Sequence, residues 1–191
     1  MKHIHILLIL LLVAFSVSAD EVAAYRLKVQ NFSELTVVDG VAVDYHCRQD
    51  SIGWAVFFTT PDKASQIMFE NNAEHLTIRS TADEAPILGL PTIKVYSASL
   101  KGVENSGDSL LRVFEPMHVD VLKIRQIGNG SIEIADIDAD YVDASVTAGK
   151  GQVMLSGKAN KAKFKNVSTG PIDASKLALK QANCFIFGTG N

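Results

Sequence analysis

The chain has 191 residues, 47% of them hydrophobic and 20% charged, with a net charge of −3. A chain of this length buries a sizeable core, and its weakly acidic balance argues against nucleic acid as a partner. Its two cysteines, Cys47 and Cys184, are too few and too far apart for a disulfide scaffold or a structural zinc site. We therefore expect two free thiols and no metal or other cofactor.

The first 19 residues have the pattern of a secretory signal peptide. Lys2 precedes the apolar run 6–15, and small residues follow this run up to Ala19. The run has about half of the ~20 residues that a membrane-spanning helix needs. We therefore predict cleavage before Asp20, export of the remaining chain, and no transmembrane segment after cleavage. Residues 20–191, with 17 basic and 21 acidic side chains, have the size of a single domain.

After residue 20 the sequence favours β-strands over helices. Short segments rich in β-branched residues alternate with turns that contain Gly, Asp, Asn or Pro. These predicted strands include residues 35–43, 54–60, 75–79 and 92–96. One short helix is expected over 62–69, because proline and aspartate at its start are residues that begin helices. The predicted class is all-β.

The most apolar predicted strand begins at the only tryptophan of the chain. Alternation places Trp54, Val56 and Phe58 on one side and Ala55 and Phe57 on the other. Both sides are apolar, which is typical of a strand that is buried on both faces. We therefore interpret this run as core rather than as an aromatic platform for sugars.

Four glycines in the second half of the chain recur at a fixed interval of 21 residues: Gly107, Gly128, Gly149 and Gly170. Each lies in a small or polar turn that is followed by a β-forming residue. A period of about 20 residues is typical of a solenoid, and a sharp corner needs the tolerance of glycine for positive φ. We predict that the four glycines stack at one corner of a parallel β-helix with coils of about 21 residues.

Alternation within the repeats predicts which side chains enter the core. The inward-facing set is Ile132, Ile134, Val153, Leu155, Leu177 and Leu179. Over residues 142–166 the period needs one extra residue, which a β-bulge would absorb. The register is not visible before residue 96. Residues 20–95 are therefore predicted to form irregular N-terminal coils and a cap, and residues 96–191 the regular repeats.

Several segments together resemble a known family. The stretch 31–45, the strands at 76–78 and 93–96, the stretch 100–103 and the repeated glycine turns are similar to the head GIN domain family of auto-transporter adhesins from Bacteroidetes. The resemblance covers nearly all of residues 20–191. It implies a right-handed parallel β-helix, an envelope or extracellular location and a role in adhesion. Its motifs are turns and strand alternations, so it transfers no catalytic residue to this chain.

An acidic run in the repeats resembles a row of metal-binding carboxylates. Asp136, Asp138, Asp140 and Asp143 are carboxylates of the type that bind calcium on β-helices. At a spacing of 21, the neighbouring coils add a single carboxylate, that of Glu115, whereas calcium takes about six to eight oxygens. We therefore interpret the run as a solvated acidic face, with a weak cation site as the alternative, and predict no metal site.

Charge is distributed unevenly over the repeats. Residues 104–147 hold nine acidic and three basic side chains, whereas residues 148–191 hold seven lysines and one aspartate. Four of these lysines lie in one coil: Lys158, Lys161, Lys163 and Lys165. They either keep the last strands from pairing with other chains, which we favour, or form a binding patch for an anionic ligand or partner.

Two functions from different classes remain. The first is a non-catalytic binding or structural module of the cell envelope that attaches to polysaccharide or to another surface protein. The alternative is a carbohydrate-active enzyme, a lyase or glycosidase, which needs facing carboxylates or a metal with a base. His46, His75 and His118 are scattered, and no nucleophile motif is present. We therefore favour the binding module and expect no catalytic residues.

Overall fold

The computed structural model describes residues 21–81, 89–116 and 118–190, and within them the protein is all-β. The described strands form one curled sheet with the shape of a half-barrel. The predicted signal peptide, residues 1–19, lies outside the described residues. The strands are β1 (Ala23–Lys28), β2 (Glu34–Val38), β3 (Val43–Cys47), β4 (Trp54–Thr59), β5 (Ile67–Asn72), β6 (His75–Ser80), β7 (Ile93–Ser97), β8 (Gly102–Asn105), β9 (Leu110–Phe114), β10 (Val119–Ile127), β11 (Ser131–Ala148), β12 (Gln152–Asn166) and β13 (Ile172–Ile186). The helical elements are a 3-10 turn at Gln49–Ser51 and helix α1 (Pro61–Ala64).

Three long parallel strands, β11, β12 and β13, lie side by side. β11 is long enough to pair with two shorter strands at once, with β9 against its first part and β10 against its second. From there the sheet divides into two branches. The first branch runs β9–β3–β7–β4–β1, and the second runs β10–β8–β2–β6–β5. Among the described strands, the pairings β7–β4, β4–β1 and β6–β5 are antiparallel and the others are parallel.

The register between β11 and β12 changes along the strands. Ile132 pairs with Val153, at an offset of 21 residues, whereas Val142 pairs with Ala162, at an offset of 20. The change takes place at a β-bulge around Asp136, which has a φ of +55°. A bulge is thus present as predicted. The predicted alignment over residues 142–166 lengthened the 21-residue interval by one residue. It is wrong, because the bulge shortens this interval by one residue instead.

The turns that follow β8, β10, β11 and β12 hold the four glycines with the 21-residue spacing: Gly107, Gly128, Gly149 and Gly170. A Cβ atom on Gly128 would lie 3.0 Å from the carbonyl oxygen of Gly107, and a Cβ atom on Gly149 would overlap the carbonyl oxygen of Gly128. These three turns therefore lie directly against one another. Gly170 is displaced along the turn, because the backbone it contacts is that of Gly151.

Alternate residues of the strands turn inward and form one apolar core. The set predicted from alternation is buried, with only the last member partly exposed: Ile132, Ile134, Val153, Leu155, Leu177 and Leu179. Burial of one such side chain contributes about 1.5–3 kcal/mol. The core therefore holds the two branches and the long strands together.

Two local predictions are wrong. The predicted strand 35–43 is two strands, β2 and β3, because Asp39 and Gly40 both have positive φ, 58° and 76°, and turn the chain. The predicted helix 62–69 is reduced to α1, and Ile67 instead begins β5, where it is buried. The two cysteines are free, as predicted.

Buried amide side chains support the glycine turns from the inside. Asn105, Gln126 and Asn166 are at most 2% exposed. The Asn105 side chain accepts a hydrogen bond from the N–H of Gly107 at 3.1 Å and donates one to the carbonyl of Ser109 at 2.8 Å. Asn166 makes equivalent bonds in its own turn. Since buried polar groups need partners, Asn105 and Asn166 fix the conformation of their turns, whereas the side chain of Gln126 bonds only to the carbonyl of Ile127. The sequence signal for them is an amide two to four residues before a turn glycine.

Candidate functional site

Four rings form a continuous row across the outer face of the first branch: Trp54, Tyr96, His46 and Phe114. Each ring lies opposite the next in the register of neighbouring strands. The His46 ring stacks on Tyr96 with centroids 5.5 Å apart and on Phe114 with centroids 4.9 Å apart. All four residues are half-buried. We call this row the aromatic ladder.

Cationic side chains flank both ends of the aromatic ladder. The guanidinium carbon of Arg26 lies 4.0 Å from the ring centre of Trp54, and Nζ of Lys28 lies 4.7 Å from it. At the other end, the guanidinium carbon of Arg112 lies 5.4 Å from the ring centre of Phe114. Exposed cation–π contacts contribute about 0.5–1 kcal/mol each, so these cations help to hold the terminal rings in place.

Arg112 is itself fixed by a bidentate salt bridge. Its Nε and Nη2 atoms donate to the carboxylate of Asp44 at 2.8 and 3.1 Å. Asp44 is 8% exposed, and the pair joins β3 to β9. Bidentate pairs add geometric specificity as well as energy. The two strands that carry His46 and Phe114 are therefore fixed relative to each other.

The aromatic ladder overturns the interpretation of the run that begins at Trp54. Ala55 and Phe57 are buried, but Trp54 is half-buried and Phe58 is 64% exposed. One side of β4 therefore faces solvent, and the strand is not buried on both faces. Sequence reasoning missed the ladder because its members come from strands that are distant in the sequence. The available signal was an aromatic residue at an outward position in each of those strands.

A groove follows the last ring of the aromatic ladder. Small side chains replace the rings in the adjoining strands: Ala135, Ser156 and Ser175. The groove that results has a volume of about 260 Å³. Its rim carries charged side chains of both signs: Arg112, Glu133, Asp173 and Lys176. Hydrogen bonds from Ser175 lower the pKa of Asp173, so this carboxylate is ionised at neutral pH. We call this depression the Phe114 groove.

A second depression lies on the outer face of the second branch, where Gly102 has no side chain. Its volume is about 350 Å³. The charged or titratable residues that line it are Glu34, His75, Glu104, Lys123, Arg125 and Asp143. Several are paired with one another, with Nδ1 of His75 3.4 Å from Glu34 and Nη1 of Arg125 3.4 Å from Glu104. The described residues of this lining include no Phe, Tyr or Trp.

The acidic run has different neighbours from those that a 21-residue spacing predicts. Asp138 lies between His118 and Lys158, with contacts of 3.0 and 3.2 Å. The hydrogen bond between His118 and Asp138 raises the pKa of the histidine and lowers that of the carboxyl. Asp138 is therefore neutralised by its neighbours rather than free to bind a cation.

Three exposed residues beside this contact could hold a metal ion. His118, Asp120 and Asp140 place ligand atoms within 4.8 Å of one another. The expectation that neighbouring strands add a single carboxylate is wrong, because the 20-residue offset brings Asp120 beside Asp140. Three exposed ligands are fewer than calcium takes, and the absence of a metal site remains a prediction.

The four lysines of the predicted patch all lie on β12: Lys158, Lys161, Lys163 and Lys165. Lys158 binds Asp138 on β11 at 3.2 Å. Nζ of Lys163 lies 6.0 Å from the ring centre of Phe185 on β13. Two of the four side chains therefore contact the strands on either side of β12.

We expect the stacked histidine of the aromatic ladder to titrate at a lower pH than the exposed one. Burial lowers the pKa of His46, although the nearby negative charges of Asp44 and Glu115 act in the opposite direction. The hydrogen bond between His118 and Asp138 raises the pKa of His118. NMR titration of the two imidazole signals measures this order directly, and a higher midpoint for His46 would contradict the stacked geometry.

The lowered pKa of His46 also determines the direction in which its contribution to stability changes with pH. Below a pH of about 6.5, unfolded chain takes up a proton at residue 46 that folded chain does not. The contribution of His46 to the free energy of unfolding therefore falls as the pH falls through this window, whereas that of His118, with its raised pKa, changes in the opposite direction. His46→Phe keeps a ring in the aromatic ladder and removes the titrating group. The free energy of unfolding of this variant, measured by urea denaturation relative to that of the unaltered protein, should therefore increase as the pH is lowered from 7.5 to 5.5.

The fold and these surfaces define a class: an all-β protein that presents outward sheet faces with shallow grooves. The chain belongs to the head GIN domain family, because the family model described as "putative auto-transporter adhesin, head GIN domain" matches residues 31–191. The resemblance seen in the sequence is thereby confirmed. Within the described part of the chain, no helix has the length and apolarity to cross a membrane.

Solved structures share the fold. A "putative adhesin" from Bacteroides fragilis aligns with a TM-score of 0.80 at 17% identity, over 89% of this chain and 78% of that one. Another from Parabacteroides merdae has a TM-score of 0.67 at 18% identity, over 89% and 79%. A "putative lipid binding protein" from Parabacteroides distasonis has a TM-score of 0.62 at 18% identity, over 85% and 77%. The search of curated proteins finds no match. At these identities the likeness concerns the fold.

Proposed function

We propose that residues 20–191 form a single exported domain, a right-handed parallel β-solenoid that acts as a non-catalytic, adhesin-like binding module of the cell envelope. The observation that carries this proposal is the aromatic ladder with the Phe114 groove at its end. Aromatic rings stabilise a protein most when they are buried. A contiguous row of half-exposed rings is therefore characteristic of a surface that binds a partner.

The sheet makes this surface rigid. The strands under the aromatic ladder are held by their register, by the core and by the bidentate pair of Asp44 and Arg112. A rigid surface loses little conformational entropy when it binds. Polysaccharide or another envelope or surface protein is the proposed partner, in agreement with the family description. The predicted signal peptide supports a periplasmic, surface or extracellular location.

One observation favours the alternative of a carbohydrate-active enzyme, namely the carboxylates of Glu133 and Asp173 at the Phe114 groove. A glycosidase needs one carboxyl that is protonated at the working pH. Here the hydrogen bonds from Ser175 act in the opposite direction and lower the pKa of Asp173. Asp173 is therefore unsuited to the role of the protonated acid, whereas an ionised carboxylate fits the nucleophile or base of such a pair.

The test is a polysaccharide array probed with purified residues 20–191, combined with an assay for released reducing ends and unsaturated sugars. We expect binding without product. Tyr96→Ala, in the middle of the aromatic ladder, should weaken binding at least tenfold, which is about 1.4 kcal/mol. Phe185→Ala, at an exposed ring on β13, is the matched control and should change affinity less than twofold. Circular dichroism verifies that both variants fold.

Product above the protein-free level would establish the enzyme instead. Failure to bind both the array and the surface proteins of intact cells would contradict the binding module.

The lysines of β12 have a separate proposed role. Lys158, Lys161, Lys163 and Lys165 lie one strand from the outermost strand of the stack, where charge opposes pairing with other chains. An anionic partner is the second possibility for this patch, and binding of a sulfated polysaccharide that weakens with salt would favour it.

A further inference from the structure

The last ring of the aromatic ladder differs from the other rings. His46 is covered on both faces, by Tyr96 and by Phe114, and so presents its edge to solvent. Phe114 stacks on His46 with one face, at an interplanar angle of 10°, and the guanidinium carbon of Arg112 lies 5.4 Å from its ring centre. Its other face borders the Phe114 groove, where the next strand offers the small side chain of Ala135. The groove therefore has one aromatic wall.

The lining of the groove combines apolar side chains, among them Met154 and Leu155, with polar ones. Ser156 and Ser175 supply hydroxyl groups, and Glu133 and Asp173 supply carboxylates that accept hydrogen bonds. The volume of about 260 Å³ is below the ~300–1,000 Å³ of pockets for drug-sized ligands. A ligand that fills it has the size of a single six-membered ring with its substituents.

This lining discriminates between classes of ligand. An acyl chain has no group that could donate a hydrogen bond to the carboxylates of Glu133 and Asp173 or to the hydroxyl groups of Ser156 and Ser175. An anionic ligand would gain no net attraction, because Arg112 is already paired with Asp44 and the charge of Lys176 is balanced by those of Glu133 and Asp173. A neutral sugar ring satisfies both features, because its C–H face packs on an aromatic ring and its hydroxyl groups donate to carboxylates.

We propose that the Phe114 groove is a subsite for one neutral pyranose residue of a polysaccharide, with Phe114 as the stacking wall and Glu133 and Asp173 as the acceptors of its hydroxyl protons. This inference rests on the proposed binding function and specifies its ligand. The rest of the glycan chain extends over the edges of the aromatic ladder toward Trp54.

The probes are four neutral hexasaccharides, cello-, laminari-, manno- and maltohexaose, with hexagalacturonate as the anionic comparator. Calorimetry or NMR titration of residues 20–191 should detect binding of at least one neutral probe and weaker binding of hexagalacturonate. Fluorescence of Trp54, the only tryptophan, should change when a hexasaccharide that spans the ladder binds. The monosaccharide of the same sugar should leave it unchanged.

Two variants test the groove in opposite ways. Phe114→Ala removes the stacking wall, and Ala135→Trp fills the exposed floor without removing a contact. Each should weaken binding of the best hexasaccharide at least tenfold, whereas Phe185→Ala should change it less than twofold. Because Ala135 is exposed, Ala135→Trp tests the proposal even if Phe114→Ala does not fold.

The outcomes separate the inference from the proposed function. Unchanged affinity in Ala135→Trp, with loss of binding in Tyr96→Ala, would overturn the groove and leave the binding module in place. Binding of hexagalacturonate in preference to the neutral probes would overturn the neutral-sugar assignment. Failure of every hexasaccharide to bind would overturn the inference, and the array and intact-cell assays would then decide the binding function on their own.

Discussion

Gly149→Ala is expected to destabilise the protein by about 3 kcal/mol or more, whereas Gly40→Ala should cost about 1–2 kcal/mol. Both glycines have a φ of +76°, so alanine carries the same conformational cost at each. Their surroundings differ. A Cβ atom at 149 overlaps the carbonyl oxygen of Gly128 in the neighbouring turn, whereas at 40 the nearest atom is Oγ of Ser109 at 3.9 Å.

Urea denaturation followed by circular dichroism measures the two free energies of unfolding. The excess loss in Gly149→Ala reports how closely the turns stack, because the backbone strain cancels between the two variants. Equal losses would mean that the turns are not in contact, which would contradict the stacked glycines and the solenoid with them.

Asn105→Ala is expected to lower the free energy of unfolding by about 2–4 kcal/mol. The substitution leaves the buried N–H of Gly107 without its acceptor and removes one donor to the carbonyl of Ser109, which still accepts from the N–H of Ser131. Asn129→Ala, in the next turn, is the matched control. Its amide bonds to Asp108 at 3.2 Å but is exposed, so water replaces the lost bonds and the cost should stay below about 1 kcal/mol.

The same denaturation experiment distinguishes the two asparagines. A small effect at residue 105 would mean that the turn relaxes or admits water, and the amides would then not define its conformation. Restoration of stability by Asn105→Asp at low pH, where the protonated carboxyl both donates and accepts, would support the hydrogen-bonding role.

The sequence permitted prediction of the features that depend on local pattern. Alternation at Ile132 and Ile134 identified the core face, because successive side chains of a strand point to opposite sides. The 21-residue spacing of Gly128 and Gly149 identified the stacked turns, because only glycine fits where two backbones meet at positive φ. Both signals lie within a few residues of the feature they predict.

Features that depend on pairing between distant strands were not predictable. The bulge at Asp136 changes the register by one residue and so brings Asp120 beside Asp140. A constant spacing of 21 residues does not predict this pair. The aromatic ladder has the same origin, because His46 meets Phe114 only through the pairing of β3 with β9. Trp54 was assigned to the core because hydrophobicity alone does not distinguish a buried strand face from a partly exposed one.

The bulge at Asp136 also lets the two outer faces change independently. A one-residue insertion in an uninterrupted strand turns all following side chains to the opposite face. Here the change of register between Ile134 and Ile137 absorbs one residue while the side chains on both sides of it keep their burial. An insertion or deletion at this bulge therefore changes which residues of the second branch lie side by side and leaves the aromatic ladder intact. Related chains can therefore change the side chains of one outer face without altering the other.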